Sequence, residues 1–77
     1  MQLDQLQPSE PAIILAVEGR PDQVERLSAF GLRPGQMLQI LRRAPWSGPF
    51  HVQVSGTEML LRAALAQCVS VQRLKRA

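Results

Sequence analysis

Few residues in this chain have side chains that could perform chemistry, and their spacing does not group them. The 77 residues contain one histidine, His51, and one cysteine, Cys68. Nothing in the sequence brings these two together as a base and its nucleophile. Cys68 lies beside an apolar segment, which favours a buried and inert thiol. The acidic residues form no close pair for general acid–base catalysis. The sequence therefore predicts no catalytic residues and disfavours an enzyme.

The sequence gives little support for a metal site or a phosphate-binding site. The sequence has no Cys-x-x-Cys spacing, no His-x-x-x-His spacing and no cluster of carboxylates. His51 with one or two carboxylates is a weak candidate, suited to an adventitious or interfacial divalent metal. No glycine is followed by Lys-Ser or Lys-Thr, so the phosphate loop of nucleotide hydrolases is not present in the sequence. We expect neither a dedicated metal nor a cofactor.

A third group of residues indicates binding rather than catalysis. Arg42 and Arg43 precede a proline-bracketed loop, residues 45–49, that contains the only tryptophan, Trp46. Arginines beside an exposed aromatic side chain are typical of protein–protein hot spots. The same tryptophan could stack on a nucleic-acid base, or it could fold back and cover one open end of the domain. We predict that Arg42, Arg43 and Trp46 bind a partner.

The charge is unevenly distributed along the chain. The formal net charge is +3; residues 1–25 have a net charge of −4, and residues 26–77 have a net charge of +7. Eight of the nine basic residues are arginine, whose guanidinium group suits bidentate contacts to carboxylates and phosphates. The basic residues form either a solvated surface or a docking face for an acidic protein or a nucleic acid.

The length and composition limit the class of protein. Seventy-seven residues predict one domain spanning residues 1–77. A single cysteine cannot form an internal disulfide, which favours the reducing cytoplasm. The longest apolar run, residues 12–17, is far shorter than the roughly 20 residues of a membrane helix. The N-terminus does not resemble a signal peptide. We therefore expect a soluble cytoplasmic protein.

The elements that position these residues begin with a strand and a short helix. The apolar run at residues 11–18 predicts a buried strand with Ile13, Leu15 and Val17 on one face. A helix is predicted from Pro21 to Gly31, because proline suits a first helical turn and glycine a C-terminal cap. The residues predicted on its inner face are Val24, Leu27 and Phe30.

Alternating apolar residues predict the rest of the fold. Pro34 and Gly35 indicate a type II turn. Further strands are predicted at residues 36–44, 50–56, 58–62 and 69–73, with one helical turn at residues 63–67. A basic tail follows. About five short strands with one early helix predict a mainly-β small barrel, because closure removes exposed strand edges.

Four segments of the chain follow a set of spaced sequence motifs. Residues 26–35 resemble R-L-x-x-(L/M)-G-(L/I)-x-P-G, with Phe30 at the Leu/Met position, and residues 41–45 match x-R-x-A-P. Residues 50–56 match x-x-V-x-V-x-G. Residues 60–71 resemble the last twelve positions of L-x-L-R-x-x-x-A-x-x-I-x-V, with Val69 at the Ile position. Together, these segments resemble the signatures of FeoA-like proteins, which are small accessory proteins of bacterial ferrous iron transport. The resemblance covers nearly the whole chain. Its fold-determining residues here are Leu27, Gly31, Leu32, Pro34, Gly35 and Gly56.

The resemblance implies an SH3-like β-barrel of about five strands with one short helix after the first strand. It also implies a cytoplasmic, non-catalytic protein that binds and regulates the cytoplasmic GTP-binding domain of the FeoB ferrous iron transporter. The membrane would then be reached only through the transporter, with no nucleic-acid partner. This sequence departs from the family in its central loop, where Ser47-Gly48-Pro49 replaces a frequent Gly-Asp-Pro.

Two alternatives remain open on the residues alone. The arginine bias fits a small basic nucleic-acid-binding barrel, whose affinity would fall steeply with salt. His51 with carboxylates fits a metal-responsive module that binds iron or zinc at a subunit interface.

Overall fold

Five antiparallel strands form one sheet in the computed structural model, which describes residues 1–46 and 48–74. The predictions that fall on Ser47 and on the basic tail after Leu74 lie outside the described residues. The strands are β1 (Ala12–Val17), β2 (Met37–Arg43), β3 (Phe50–Val54), β4 (Thr57–Leu61) and β5 (Val69–Arg73). A 3-10 turn (Leu3–Gln5) precedes β1, helix α1 (Pro21–Ala29) follows it, and helix α2 (Ala63–Ala66) precedes β5.

The strand order is β4-β3-β2-β1-β5. The pairing register shifts between Ile40 and Arg42 in β2 and between Ile14 and Ala16 in β1. Such bulges bend strands and increase their twist, which lets a short sheet curve around its own core. The N-terminal segment pairs with the outer edge of β5, where the Val71 N–H donates to the Met1 carbonyl at 2.7 Å. The mainly-β prediction, with five strands and a helix after the first, is confirmed.

The family motif at residues 26–35 has a local physical role at the end of α1. Gly31 has φ +91°, and its N–H donates to the Ser28 carbonyl at 3.0 Å. The Leu32 N–H then donates to the Leu27 carbonyl at 2.9 Å. This pair of bonds is a Schellman cap, which needs a residue in the left-handed conformation. Leu27 and Leu32 are both fully buried, so the cap also seals part of the core.

The turn after the helix docks β2 against β1. The Gln36 N–H donates to the Arg33 carbonyl at 3.1 Å, and Gly35 has φ +91°. Pro34 thus precedes a residue with positive φ, as the type II turn requires. The Gly35 N–H donates to the Ile14 carbonyl at 2.8 Å, and the Ile14 N–H donates to the Gln36 carbonyl at 2.9 Å.

The hairpin between β3 and β4 has a two-residue loop. Ser55 and Gly56 have φ +50° and +88°. Positive φ at both central residues is the type I′ geometry, which matches the twist of the flanking strands. Gly56 therefore fixes the register in which β4 pairs with β3.

Two predicted inner faces differ from the structure. In β1 the buried side chains are Ala12 and Ile14, whereas Leu15 is 51% exposed. The alternation in β1 is thus one residue out of phase with the prediction up to Leu15. The bulge after Ile14 then returns Val17 to the inner face, where it packs against the core as predicted. In α1 Leu27 is buried as predicted, but Phe30 is 50% exposed. Phe30 is the C-cap residue, one position beyond the helix, and the chain turns away there.

The first ten residues cross the domain as a short turn whose leucines, Leu3 and Leu6, are fully buried. Glu10, at the end of this segment, connects it to β5. The Gln7 N–H donates to its carboxylate at 2.7 Å, and the Arg73 guanidinium lies 3.2 Å from it. Both contacts lower the pKa of Glu10, the first of them more strongly. In the described part of the chain, neither helix has the length and hydropathy to cross a bilayer.

The core lies between the concave face of the sheet, α1, α2 and the N-terminal turn. Its buried apolar side chains are Leu3, Leu6, Ala12, Ile14, Leu27, Leu32, Leu38, Ile40, Phe50, Val52, Val54, Leu61, Leu65, Ala66, Val69 and Val71.

Candidate functional site

The loop between β2 and β3 forms a tight projection from the sheet. The Ala44 N–H donates to the Pro49 carbonyl at 3.1 Å, and the Gly48 N–H donates to the Pro45 carbonyl at 3.2 Å. Gly48 approaches the loop base so closely that a Cβ there would lie 2.7 Å from the Ala44 Cβ. The loop therefore needs a glycine at this position.

Trp46 lies at the tip of this projection. Its side chain is 96% exposed, and its φ is +54°. The alternative in which Trp46 folds back over an open end of the domain is therefore wrong. An indole held almost wholly in water by a tight loop offers a large apolar surface to a partner.

Arg42 lies on the outer face of the sheet with neighbours from two other strands. It pairs in register with His51, which pairs in turn with Leu60. Directly opposed residues on adjacent strands lie side by side, so these three side chains form a row. Leu60 is 71% exposed. A basic, an aromatic and an aliphatic side chain thus stand together at the end of the sheet from which the Trp46 loop projects.

Arg43 points to the opposite face and makes contacts within the chain. Its Nη2 donates to the Asp4 carbonyl at 2.6 Å, and its Nη1 donates to the Leu6 carbonyl at 3.4 Å. Its guanidinium carbon lies 5.1 Å from the centre of the Phe50 ring. The guanidinium therefore holds the N-terminal turn against the sheet. Arg42 and Arg43 are adjacent in sequence but have different surroundings.

Replacing Arg43 with alanine is expected to lower the free energy of unfolding by about 1–2 kcal/mol, because two charge-assisted hydrogen bonds and a cation–π contact are lost. Arg42→Ala is the matched control and is expected to change stability by at most about 0.5 kcal/mol. Urea unfolding followed by circular dichroism measures both. Equal stabilities for the two variants would contradict the anchoring role of Arg43.

His51 and Cys68 have contacts with different residues. His51 Nε2 lies 2.9 Å from the Glu58 Oε1. The half-buried Cys68 thiol is 3.6 Å from both the Gln23 Oε1 and the Ala64 carbonyl. Across residues 1–46 and 48–74, no three histidine, cysteine or carboxylate side chains come together as a group that could hold a metal ion.

Leu60 is the member of this surface that sequence reasoning did not single out. A signal for it was present in the strand predicted at residues 58–62, because alternation that places Leu61 inward leaves Leu60 on the outer face. We define the loop face as Arg42, Trp46, His51 and Leu60.

The comparisons with known proteins agree on one family. The family model of the FeoA domain matches residues 1–73. A crystal structure of the iron uptake regulatory protein FeoA is 28% identical to this chain, with a TM-score of 0.88 over 96% of this chain and 97% of its own length. No curated protein matches the chain significantly.

Two further solved structures are similar. The solution structure of FeoA from Chlorobium tepidum is 31% identical, with a TM-score of 0.88 over 97% of this chain and 71% of its own length. The crystal structure of Stenotrophomonas maltophilia FeoA, complexed with zinc and described as a procaryotic SH3 domain protein, is 26% identical. Its TM-score is 0.82, over 100% of this chain and 99% of its own length. The predicted SH3-like fold is thus confirmed.

Proposed function

Because this chain belongs to the FeoA family of non-catalytic accessory domains linked to ferrous iron transport, we propose that it binds and regulates the cytoplasmic part of the FeoB transporter. In this proposal residues 1–77 act as one cytoplasmic domain, and the partner is the GTP-binding domain of FeoB. The membrane is reached only through the transporter.

The observation that supports the proposal most directly is the exposure of Trp46 on a loop that holds it away from the core. Hot spots of protein interfaces are enriched in tryptophan and arginine, and the residues around them exclude water. Trp46 and Arg42 provide the two preferred residue types. Leu60 adds apolar surface in the same row.

Arg43 has an indirect part in this interface. Its guanidinium is engaged by the carbonyls of Asp4 and Leu6, so it fixes the end of β2 from which the loop projects. A test that reverses charge at both arginines would therefore disturb the fold as well as the surface. Arg42→Glu alone changes the loop face without breaking a hydrogen bond of the described residues.

The test is a calorimetric titration of this protein with the purified GTP-binding domain of the ferrous transporter from the same organism. It is run with GDP and with a GTP analogue, at low and at physiological salt. We expect saturable binding that survives physiological salt and weakens in Arg42→Glu. A difference in affinity between GDP and the GTP analogue would identify which nucleotide state of the transporter domain this protein binds. No binding in either nucleotide state would overturn the proposal.

A random oligonucleotide, titrated in the same way, distinguishes the nucleic-acid-binding alternative from the proposed binding to the transporter domain. Neutralising several phosphates releases counterions, so affinity for an oligonucleotide would fall by orders of magnitude between low and physiological salt. Tight, salt-sensitive oligonucleotide binding without binding to the transporter domain would support that alternative.

A further inference from the structure

A second surface, separate in its residues from the loop face, is lined by three arginines. Arg20, Arg26 and Arg62 border one surface depression of about 240 Å³. Arg20 directly precedes α1, Arg26 lies in its last turn, and Arg62 directly precedes α2. Thirty-five or more residues separate Arg62 from the others in sequence, so only the fold brings them together.

The charges in this arginine pocket are not balanced within the chain. Asp22 is the one acidic side chain of the lining, and its Oδ2 pairs with Arg20 Nη2 at 3.1 Å. Among the described residues, Arg26 and Arg62 form neither an ion pair nor a side-chain hydrogen bond. Two guanidinium groups therefore face one concavity with their donors available for an anion.

One residue of the pocket lining, Gln23, is held in place by close contacts with its neighbours. The Gln23 Oε1 accepts the Arg20 N–H at 3.1 Å and lies 3.6 Å from the Cys68 thiol. Gly19 has φ +153°, and a Cβ there would lie 2.9 Å from the Cys68 Sγ and 3.0 Å from the Gln23 Oε1. Gly19 thus permits the packing that holds the start of α1 against the segment before β5.

We propose that the arginine pocket docks a carboxylate-bearing, acidic segment of a partner protein. Guanidinium groups recognise carboxylates through bidentate hydrogen bonds. The remaining lining is aliphatic, from Ala64 and Leu65, which suits an aliphatic side chain next to the acid. Among the described residues that line the depression, none is aromatic and able to stack on a base, so the chemistry favours a peptide over a nucleic acid.

The test follows ¹⁵N-labelled full-length protein by NMR during titration with the synthetic peptide acetyl-Glu-Leu-Glu-Glu-amide. The matching glutamine peptide measures the contribution of the carboxylates. We expect signals of α1, Arg62 and α2 to shift with the acidic peptide only. Because the probe is a peptide, this result does not depend on whether the transporter domain binds.

Two double variants of equal net charge localise the site. Arg26→Gln with Arg62→Gln removes the unpaired arginines of the pocket, and Arg33→Gln with Arg73→Gln removes two exposed arginines outside both the pocket and the loop face. We expect about tenfold or greater loss of affinity for the first pair, the size of one lost charged hydrogen bond, and less than about threefold for the second. Unchanged spectra outside the substituted positions confirm that both variants are folded.

Equal losses in the two double variants would show general attraction to a basic surface and would overturn the proposal. A larger loss in Arg33→Gln with Arg73→Gln would also overturn it, since the acidic peptide would then bind elsewhere. An oligothymidylate, titrated at the same salt concentration as the two peptides, tests for nucleic-acid binding at the same site. Tighter binding of the oligonucleotide through Arg26 and Arg62 would replace the acidic peptide with a nucleic acid and so overturn it.

Discussion

Leu27→Ala is expected to lower the free energy of unfolding by about 3 kcal/mol, the range found for large-to-small substitutions at fully buried sites. The Leu27 side chain is fully buried on the inner face of α1. Its carbonyl accepts the Leu32 N–H that closes the helix cap. The substitution removes apolar contacts from a core that few other residues can fill, because a chain of this length has little core to spare.

The effect is large compared with the stability available. At roughly 0.05–0.15 kcal/mol per residue, a domain of this length has a free energy of unfolding of about 4–12 kcal/mol. Urea denaturation followed by far-UV circular dichroism is the suitable measurement. Trp46 fluorescence is a poor reporter, because its indole is already in water in the folded state.

Ser28→Ala is the control for Leu27→Ala, since Ser28 is exposed on the same helix. It is expected to change the free energy of unfolding by at most about 0.5 kcal/mol. A Leu27→Ala variant as stable as Ser28→Ala would show that α1 contributes little to the core.

The parts of the fold that follow from local rules were predictable from the sequence. The cap formed by Leu27, Gly31 and Leu32 needs one residue in the left-handed backbone conformation, which glycine adopts most readily. The turn at Pro34 and Gly35 is likewise determined by the φ preferences of two residues. The alternation of apolar and polar residues in β3 is enough to place Phe50 on the inner face, because that strand has no bulge of its own.

The parts that depend on distant residues were not predictable. Every residue of β1 is apolar, so its sequence does not decide whether Ile13 and Leu15 or Ile14 lie inward; the pairing with β2 and β5 decides it. Alternation places Arg42 and Arg43 on opposite faces, but it does not show that the N-terminal turn meets Arg43. The arginine pocket joins residues from both helices, and no spacing rule connects Arg26 with Arg62.

The exposure of Trp46 was one of two outcomes that the composition allowed. A tryptophan between prolines can cover a hydrophobic edge or stand in solvent, and the choice depends on the loop conformation. Here the positive φ of Trp46 and the tight approach of Gly48 to Ala44 direct the indole outward. A large apolar side chain held in solvent beside an arginine is a common feature of protein interfaces, and this is the role that the proposed function gives to Trp46.

Trp46→Ala is therefore expected to weaken binding to the transporter's GTP-binding domain by about 30-fold or more, which corresponds to a hot-spot loss of about 2 kcal/mol. The free energy of unfolding should stay within about 0.5 kcal/mol of the wild type, because the folded chain buries almost none of this side chain. The same calorimetric titration measures the affinity, and urea denaturation measures the stability.

Met37→Ala is the matched control for Trp46→Ala. Met37 is also an exposed apolar residue, but it lies at the start of β2, away in sequence from the loop face. Loss of affinity in Trp46→Ala with none in Met37→Ala would assign the binding energy to the loop. Equal losses would indicate a diffuse apolar contact. Wild-type affinity in Trp46→Ala would remove the loop face from the interface, and the arginine pocket would then be the surface to test against the transporter, because its unpaired guanidinium groups do not depend on Trp46.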